Sequence, residues 1–303
     1  MGAARVLLFG ASGFIGRPVA EALRRDARVE TVIPVGRTPR AGFLRHDLYA
    51  DGTGELATLL RGVKPRVVIN CAGRLSGGTA ALVEAHVLAT ARLLDAMTEA
   101  APAARLVVLG SAAEYGVTPA GQPVAEDALA IPVAPYGMAK LAGTQLVRLA
   151  VEEGRLDAVV LRVFNPIGPD TPDQTLLGRA AAGIRAALEN RDDHIRLGPL
   201  GAHRDFVDVR DVAAAVVAAA LADQVKEPVL NVGSGIAVPI RSVIGMLAEI
   251  AGFAGQVREL GLAPARSAAV SWIAADLGRI RRTLGWAPEH DLRSSVLACW
   301  RSV

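Results

Sequence analysis

The first half of the chain alternates between short apolar runs and longer segments of helical period. The apolar runs are rich in Val, Leu and Ile, which predicts strands buried on both faces. The segments between them repeat apolar positions three to four residues apart, which predicts amphipathic helices. We expect strands at Val6–Phe9, Val29–Val35, Val67–Asn70, Leu106–Gly110 and Ala158–Val163, and helices at Glu55–Arg61, Thr79–Thr98, around Tyr136 and at Val212–Ala222.

This order of elements predicts an α/β fold with a doubly wound parallel sheet. Strands separated by helices form right-handed βαβ units, whose parallel strands are covered by helices on both faces. The pattern loosens after Pro166, where the segments become shorter and are bounded by Pro and Gly.

A glycine-rich turn, Gly10–Gly16, follows the first predicted strand directly and leads into a predicted helix. Gly10 allows a tight turn, Gly13 lets the backbone approach a pyrophosphate, and Gly16 lets the helix pack close to the sheet. A pyrophosphate can then sit at the positive end of that helix. Glycine-rich turns also occur as plain connectors, but the position of this one indicates a dinucleotide-binding turn.

A second motif places Tyr136 four residues before Lys140 on a predicted helix. Residues four apart share one helix face, and an ammonium beside a phenol favours the phenolate. Such a tyrosine can exchange a proton with a carbonyl or an alcohol. An ordinary amphipathic helix is the alternative, but Ser111 at the end of a predicted strand and the upstream glycine turn favour catalysis.

Together these features resemble the extended short-chain dehydrogenase/reductases, the epimerase/dehydratase family whose members act on nucleotide sugars. The resemblance covers nearly the whole chain and is closest to nucleotide-sugar 4-ketoreductases such as the GDP-4-keto-6-deoxymannose reductases. Besides the glycine turn and the Tyr136 motif, the matching segments are Asn70–Gly73, Gly110–Gly116, Arg162–Pro169, Arg204–Ala213 and Asn231–Gly235.

The resemblance also implies how the chain is organised. It predicts an NADP-binding Rossmann domain over residues 1–165, with return segments near residues 205–235. A smaller C-terminal α+β lobe, residues 166–303, would bind the substrate over the carboxyl ends of the strands. A homodimer built from the Thr79–Thr98 helix and the Tyr136 helix is expected as well.

The end of the second strand favours NADP over NAD. An acidic residue there would bond the ribose hydroxyls, whereas an arginine accommodates a 2′-phosphate. Arg37 follows Gly36 at this tip, and Arg17 could add a second positive charge, although Arg37 could also be a solvent-facing loop residue. The resemblance assigns cofactor contacts to Gly10, Ser12, Gly13, Phe14, Ile15, Gly16, Arg37, Asp47, Leu48, Cys71, Ala72, Gly73, Tyr136 and Lys140.

By resemblance, Ser111, Tyr136 and Lys140 form the catalytic core. Tyr136 would donate a proton as hydride arrives, Ser111 would bond the same oxygen, and Lys140 would hold the nicotinamide ribose. The family's dehydratases carry an acidic pair directly after the catalytic Ser or Thr, but this chain has Ala112 and Ala113 there. Alanine transfers no proton, so elimination by that route is not expected.

The core itself does not separate a reductase from an epimerase, which is the main alternative. Glu114 comes one residue after the dehydratase positions, and in an extended segment it would face away from its neighbour Ala113, so it should not simply substitute for the acidic pair. We therefore expect it to make a structural hydrogen bond. His86, His194 and His203 are the loose candidates for a further base, and His86 stands where the family often has Asn.

Four residues are the candidates for binding a nucleotide-sugar substrate. We expect Arg204 and the amide of Asn165 to face its diphosphate, with Arg179 and Arg266 as weaker candidates. The family usually has an Asp three residues after the arginine that corresponds to Arg266. This chain has Ala269 there, so the base of the nucleotide is left open.

Composition narrows the function classes. The 303-residue chain has a formal net charge of only +3 and scattered arginines, which argues against nucleic-acid binding. We expect no leader peptide and no membrane span, and no Cys/His spacing suggests a metal. Two cysteines, Cys71 and Cys299, fit a reducing cytoplasm. A non-catalytic NADP-binding sensor is the alternative of another class, but such proteins typically lose the Tyr or the Lys.

Overall fold

The centre of the molecule is a parallel sheet of seven strands. The computed structural model describes residues 3–260 and 270–302. Numbered along the chain, the seven strands are β1 (Ala4–Phe9), β2 (Val29–Gly36), β3 (Leu44–Arg45), β4 (Val67–Asn70), β5 (Arg105–Ser111), β6 (Ala158–Val163) and β10 (Val229–Val232). Their order across the sheet is β10-β6-β5-β4-β1-β2-β3, and every neighbouring pair is parallel.

Helices cover both faces of this sheet. They are α1 (Gly16–Arg25), α2 (Thr53–Val63), α3 (Thr79–Val83), α4 (Ala89–Ala100), α5 (Pro135–Glu152) and α7 (Val209–Leu221). Alternate residues of β1 point into two separate cores, because side chains along a strand alternate between faces. Val6 and Leu8 pack in the core that includes Val19 and Val212, and Leu7 packs in the core that includes Leu93.

The remaining elements build a smaller second lobe. Its strands are β7 (Asn165–Ile167), β8 (His194–Leu197), β9 (His203–Asp208), β11 (Ala237–Pro239), β12 (Gln256–Glu259) and β13 (Trp272–Ile273). Its helices are α6 (Leu176–Asn190), α8 (Ile240–Ala251) and α10 (Leu292–Ser302), whereas α9 (Gly278–Leu284) packs against β10 of the central sheet and against α7. Strand β9 pairs antiparallel with β11 and parallel with β7 and β13, and β8 pairs with β12.

Two segments differ from their predicted form. The helix predicted at Thr79–Thr98 runs to Ala100, but residues Glu84–Leu88 within it are π-helical. The residues after Ser111 are not extended, because Ala112–Glu114 form a 3₁₀ turn. Both segments lie beside the predicted catalytic residues, where short 3₁₀ and π turns are common.

The strand register brings the predicted site residues to one edge of the sheet. Phe9 at the end of β1 aligns with Val35 and with Asn70, which in turn aligns with Val108 of β5. Ligands of such sheets bind outside the carboxyl ends of the strands. Across the residues that the structure describes, no helix is long and apolar enough to cross a membrane.

Candidate active site

The turn Gly10–Gly16 is built by close backbone contacts that side chains would prevent. Gly10 has a φ of 72°, and a Cβ on it would lie 2.6 Å from the backbone nitrogen of Ala72. A Cβ on Gly16 would lie 2.0 Å from the carbonyl oxygen of Gly10. Ser12 and Gly13, at the tip, are exposed. The turn therefore presents open backbone at the start of α1, where an anionic group is stabilised.

The end of β2 carries an exposed guanidinium. The Arg37 Cζ lies 5.7 Å from the centre of the Tyr49 ring, and the Arg37 side chain is solvent-exposed. Asp47 accepts the backbone N–H of Tyr49 at 2.9 Å, so its carboxylate shapes the turn that presents this ring. Leu48 is buried in the core beneath. The Tyr49 ring therefore supports the Arg37 guanidinium, which remains open to solvent.

Helix α5 carries Tyr136 and Lys140 at its amino-terminal end. Lys140 donates from Nζ to the carbonyl oxygen of Leu109 in β5 at 2.8 Å. A Cβ on Gly73, in the loop after β4, would lie 4.0 Å from the same Nζ. Both Tyr136 and Lys140 are half-buried. The ammonium therefore sits between the ends of two adjacent strands, one helical turn from the phenol.

Ser111 ends β5 and caps the 3₁₀ turn that follows. Its Oγ accepts the backbone N–H of Ala113 at 3.2 Å. Helix α5 packs against this turn: a Cβ on Gly137 would lie 2.3 Å from the carbonyl oxygen of Ala113. The close approach places the start of the Tyr136 helix against the segment that carries Ser111. The structure therefore brings together the three residues predicted to be catalytic.

His86 lies behind the tyrosine, in the π-helical segment. Its ring contacts the Tyr136 ring edge-on, with centroids 5.5 Å apart, and its Nε2 lies 2.9 Å from the carbonyl oxygen of Arg74. Burial, together with the nearby Lys140 ammonium, lowers the His86 pKa to about 4. At neutral pH the ring is therefore uncharged and supports the tyrosine by packing.

Cys71 is held in the protonated form at this edge. It follows β4 directly, and burial raises the pKa of its thiol to about 12. A neutral thiol is a poor nucleophile. This residue can line a cofactor site without reacting in it.

The predicted substrate residues occupy different places in the second lobe. Asn165 donates from its amide to the carbonyl oxygen of Asp205, which ties β7 to β9. Arg204 is buried, its pKa is lowered by that burial, and it donates to the carbonyl oxygens of His203 and Val270. Arg179 is exposed on α6, and Arg266 lies outside the described residues. Their role in substrate binding stays a prediction.

Two ion pairs at the site were not predicted as pairs. Arg17, next to the glycine turn, lies 2.6 Å from the Asp170 carboxylate, which belongs to the loop between β7 and α6. Glu114 is fully buried and lies 2.7 Å from the Arg162 guanidinium. The second pair had a signal in the sequence, because an arginine inside an apolar strand requires a partner. The structural hydrogen bond expected of Glu114 is therefore present, although the segment around it is not extended.

The family of the chain follows from comparison with known proteins. Residues 6–233 match the model of the NAD dependent epimerase/dehydratase family. The chain belongs to this family. Membership confirms the family predicted from the glycine turn and the Tyr136 motif, and the seven-stranded sheet confirms the predicted fold class.

Two relatives within the epimerase/dehydratase family match almost the full chain. A dTDP-6-deoxy-L-talose 4-dehydrogenase (NAD(P)(+)) from Kitasatospora kifunensis is 38% identical over 98% of this chain and 95% of its own length. A GDP-6-deoxy-D-mannose reductase from Pseudomonas aeruginosa is 30% identical over 98% of this chain and 97% of its own.

Solved structures of family members superpose over nearly the whole chain. RMD from Pseudomonas aeruginosa complexed with NADPH has a TM-score of 0.82 and 26% identity, covering 99% of both chains. MoeE5 in complex with UDP-glucose and NAD has a TM-score of 0.81 and 29% identity, covering 98% of this chain and 97% of its own. This chain therefore shares its fold with both proteins over nearly its whole length.

Proposed function

We propose that this chain is an NADPH-dependent oxidoreductase of deoxysugar biosynthesis. It reduces the 4-keto group of a nucleotide-linked 4-keto-6-deoxyhexose to a hydroxyl. The proposal is carried by the packing of the amino-terminal end of the Tyr136 helix against the turn after Ser111, with Lys140 bonded to the Leu109 carbonyl of the same strand. Ala112 and Ala113 supply no acid or base for eliminating water.

Two of the relatives support this reaction. One is named a 4-dehydrogenase and the other a reductase, and each matches almost the full chain. A dehydrogenase and a reductase catalyse the same kind of reaction in opposite directions. Both act on nucleotide-linked 6-deoxyhexoses by their names. The family model and the structures bound to NAD or NADPH support an NAD(P) cofactor, and Arg37 is our reason for preferring NADP.

The residues present fit a dinucleotide. The open backbone of Gly10–Gly16 would hold the pyrophosphate, Arg37 the 2′-phosphate, and Lys140 the nicotinamide ribose. In the proposed assignment the same edge is lined by Ser12, Phe14, Ile15, Asp47, Leu48, Cys71, Ala72 and Gly73. Bound NADPH supplies the hydride. Charge complementarity between an arginine and a phosphate is the physical basis of the preference.

Tyr136 would give its phenolic proton to the oxygen of the substrate carbonyl. Ser111 would donate its hydroxyl hydrogen to the same oxygen, while its Oγ accepts the Ala113 N–H. Lys140, anchored to the Leu109 carbonyl, keeps a positive charge one helical turn from Tyr136. Donors aimed in advance at a developing negative charge lower the barrier. The proposed contacts of the nucleotide diphosphate are Asn165, Arg179, Arg204 and Arg266.

A nucleotide-sugar 4-epimerase is the second candidate. UDP-glucose 4-epimerases are among the relatives, including one from Azospirillum brasilense that is 30% identical over 97% of this chain and 90% of its own. The same three residues would serve both reactions. An epimerase returns its cofactor unchanged, whereas a reductase consumes it.

We also propose a cytoplasmic homodimer. Exposed apolar side chains lie on the π-helical segment and on α5, where the dimer was predicted: Leu88 is 47% exposed, Met138 56% and Leu149 49%. The presence of exposed apolar side chains on both helices supports an interface there. The cytoplasmic location rests on the free thiols of Cys71 and Cys299.

A coupled assay tests the reaction. The chain is incubated with NADPH and a panel of GDP- and dTDP-linked 4-keto-6-deoxyhexoses, and nicotinamide absorbance is followed together with the sugar products. We expect NADPH to be consumed in equal amount to the deoxyhexose formed. Isomerised sugar without net NADPH loss would instead establish the epimerase.

The matched control is Tyr136→Phe, which removes one hydroxyl. It should bind NADPH normally and turn over about 10²- to 10⁴-fold more slowly, the usual contribution of a general acid. Unchanged turnover would place the proton donor elsewhere. NADPH binding without turnover of any panel member, by either chain, would favour the non-catalytic sensor.

A further inference from the structure

Glu114 is a fully buried carboxylate directly beside Ser111. Its Oε1 accepts the backbone N–H of Ser111 at 2.8 Å, and its Oε2 accepts the Nε–H of Arg162 at 2.7 Å. The two side chains are 0% and 3% exposed. A buried ion pair is tolerated only where its atoms keep good hydrogen-bond geometry. Here one carboxylate oxygen serves the Ser111 backbone and the other serves the arginine.

Close contacts surround both members of this ion pair. A Cβ on Gly110 would lie 2.7 Å from the Glu114 Oε1, so only glycine leaves room for it. The Arg162 Cζ lies 4.6 Å from the centre of the Tyr115 ring, and its Nη1 donates to the carbonyl oxygen of Glu126 at 3.3 Å. The pair is therefore held from both sides, by the Ser111 backbone of β5 and by the contacts of Arg162 with the Tyr115 ring and the Glu126 carbonyl.

These contacts also constrain the orientation of the Ser111 hydroxyl. Glu114 holds the Ser111 backbone nitrogen, and the Ala113 N–H occupies one lone pair of the Ser111 Oγ. Both contacts come from the same 3₁₀ turn, Ala112–Glu114. A hydroxyl that already accepts one hydrogen bond has its own hydrogen left to donate outward.

We propose that Glu114, held by Arg162, is a positioning residue that aims the Ser111 hydroxyl at the reacting oxygen of the substrate. The inference rests on the proposed function only in that Ser111 contacts that oxygen. A misaimed donor loses catalytic power steeply, because small displacements weaken transition-state contacts first. In Glu114→Gln, one amide end must face a donor, so either Ser111 or Arg162 loses its acceptor.

Single and double variants test this coupling. Glu114→Gln and Arg162→Lys are each made in the unaltered chain and in a Ser111→Ala background. The kcat for ketone reduction and the KM for NADPH are then measured with the panel member that the unaltered chain reduces. In the unaltered chain we expect kcat to fall about 10- to 100-fold while that KM changes less than about threefold. In the Ser111→Ala background the same substitutions should change kcat less than about threefold, because the hydroxyl they aim is gone.

Arg105→Lys is the matched control. Arg105 is a buried arginine at the start of β5, the strand that ends at Ser111, and it donates to the Asp157 carboxylate at 2.9 Å. Its substitution should lower the Tm but affect kcat equally in both backgrounds. An equal loss in both backgrounds from Glu114→Gln, or no loss of kcat from a folded Glu114→Gln, would overturn the proposal. If Glu114→Gln does not fold, Arg162→Lys decides by the same criteria.

A readout without turnover separates this proposal from the reaction assigned above. Amide hydrogen exchange of the 110–114 segment is measured in the chain with NADPH. We expect about tenfold faster exchange in Glu114→Gln or Arg162→Lys than in the unaltered chain, and no change in Arg105→Lys. Unchanged exchange would refute the positioning role even if the substrate were a different one. Faster exchange with no ketone reduction would instead count against the proposed reaction alone.

Discussion

The guanidinium of Arg37 is presented to solvent on the face of Tyr49, 5.7 Å from the ring centre. An arginine held in this way can bond a phosphate through its edge. We expect NADPH to bind at least about tenfold more tightly than NADH, a difference of about 1.4 kcal/mol. Arg37→Asp should erase or reverse that order, as measured by fluorescence titration of both cofactors.

Arg40→Asp is the control for this prediction. Arg40 is also exposed and lies over an aromatic ring, with its Cζ 5.0 Å from the centre of Phe43. Arg40→Asp makes the same change of charge as Arg37→Asp, three residues further along the chain. The ratio of the two affinities should stay within about twofold of the original. Equal affinities of the unaltered chain for NADPH and NADH would mean that Arg37 is an ordinary surface residue.

Single residues with a local signal were predictable, whereas their partners were not. The glycine turn and the Tyr136 motif are recognisable from their spacing, and the role of Ser111 was predicted by resemblance. The partner of Arg162 depends on the alignment of Gly110 with Arg162 across two strands. The sequence also predicted an extended segment after Ser111, and it is the 3₁₀ turn that directs Glu114 inward. Pairings of this kind require the sheet register, which no single segment contains.

The helix behind the active site changes its period where it passes His86. The π-helical segment Glu84–Leu88 lies against α5 at Gly143, where a Cβ would be 2.5 Å from the carbonyl oxygen of His86. The hydroxyl of Thr90 donates to that same carbonyl at 2.8 Å. The helix itself was predictable from its period. Its π turn lies at the contact with α5, and such a contact is not predictable from the helix sequence alone.

Burial of His86 in this segment predicts a loss of stability in acid. The folded chain holds the His86 pKa at about 4, while a free histidine titrates near 6.5. Below about pH 6.5 the unfolded chain therefore gains a proton that the folded chain does not, and unfolding is favoured. The contribution of His86 is complete above that pH and is lost as the pH falls to about 4, a change of up to about 3 kcal/mol.

Urea unfolding of the unaltered chain and of His86→Asn between pH 7 and pH 4 measures this effect. The stability difference between the two proteins should shift in favour of the variant as the pH falls. Burial also lowers the pKa of His46, which adds acid sensitivity of the same sign to both proteins and cancels in the comparison. Parallel pH profiles would show that His86 takes up its proton without opposing the fold.

At the scale of the whole molecule, the central sheet and its helices are built from two separate stretches of the chain, with elements of the second lobe between them. Strand β10 completes the edge of the central sheet beside β6, although it follows the first elements of the second lobe. Helix α7 packs against α1, where Val212 and Val216 share a core with Leu23. The sequence indicated these return segments only through resemblance, because their own apolar runs do not say which sheet they join.

A fragment that ends at residue 165 should therefore fail to form a cofactor-binding unit. It lacks β10 and α7, so the apolar face of α1 would be exposed to water. We expect such a fragment to bind a hydrophobic dye, to unfold without a sharp transition and to show no saturable NADPH binding. The full chain, treated identically, is the control. A fragment with the full chain's affinity for NADPH would contradict this prediction.

The position of β10 also bears on how such a protein can acquire new specificity. A genetic crossover near residue 165 would bring in a foreign substrate lobe, but with it a foreign edge strand and a foreign helix against α1. The inherited core would then have to accept both at once. Gradual substitution in the loops at the carboxyl edge leaves the packing of this core unchanged. Diversity in this architecture is therefore expected to arise by point changes and loop insertions rather than by exchange of whole modules.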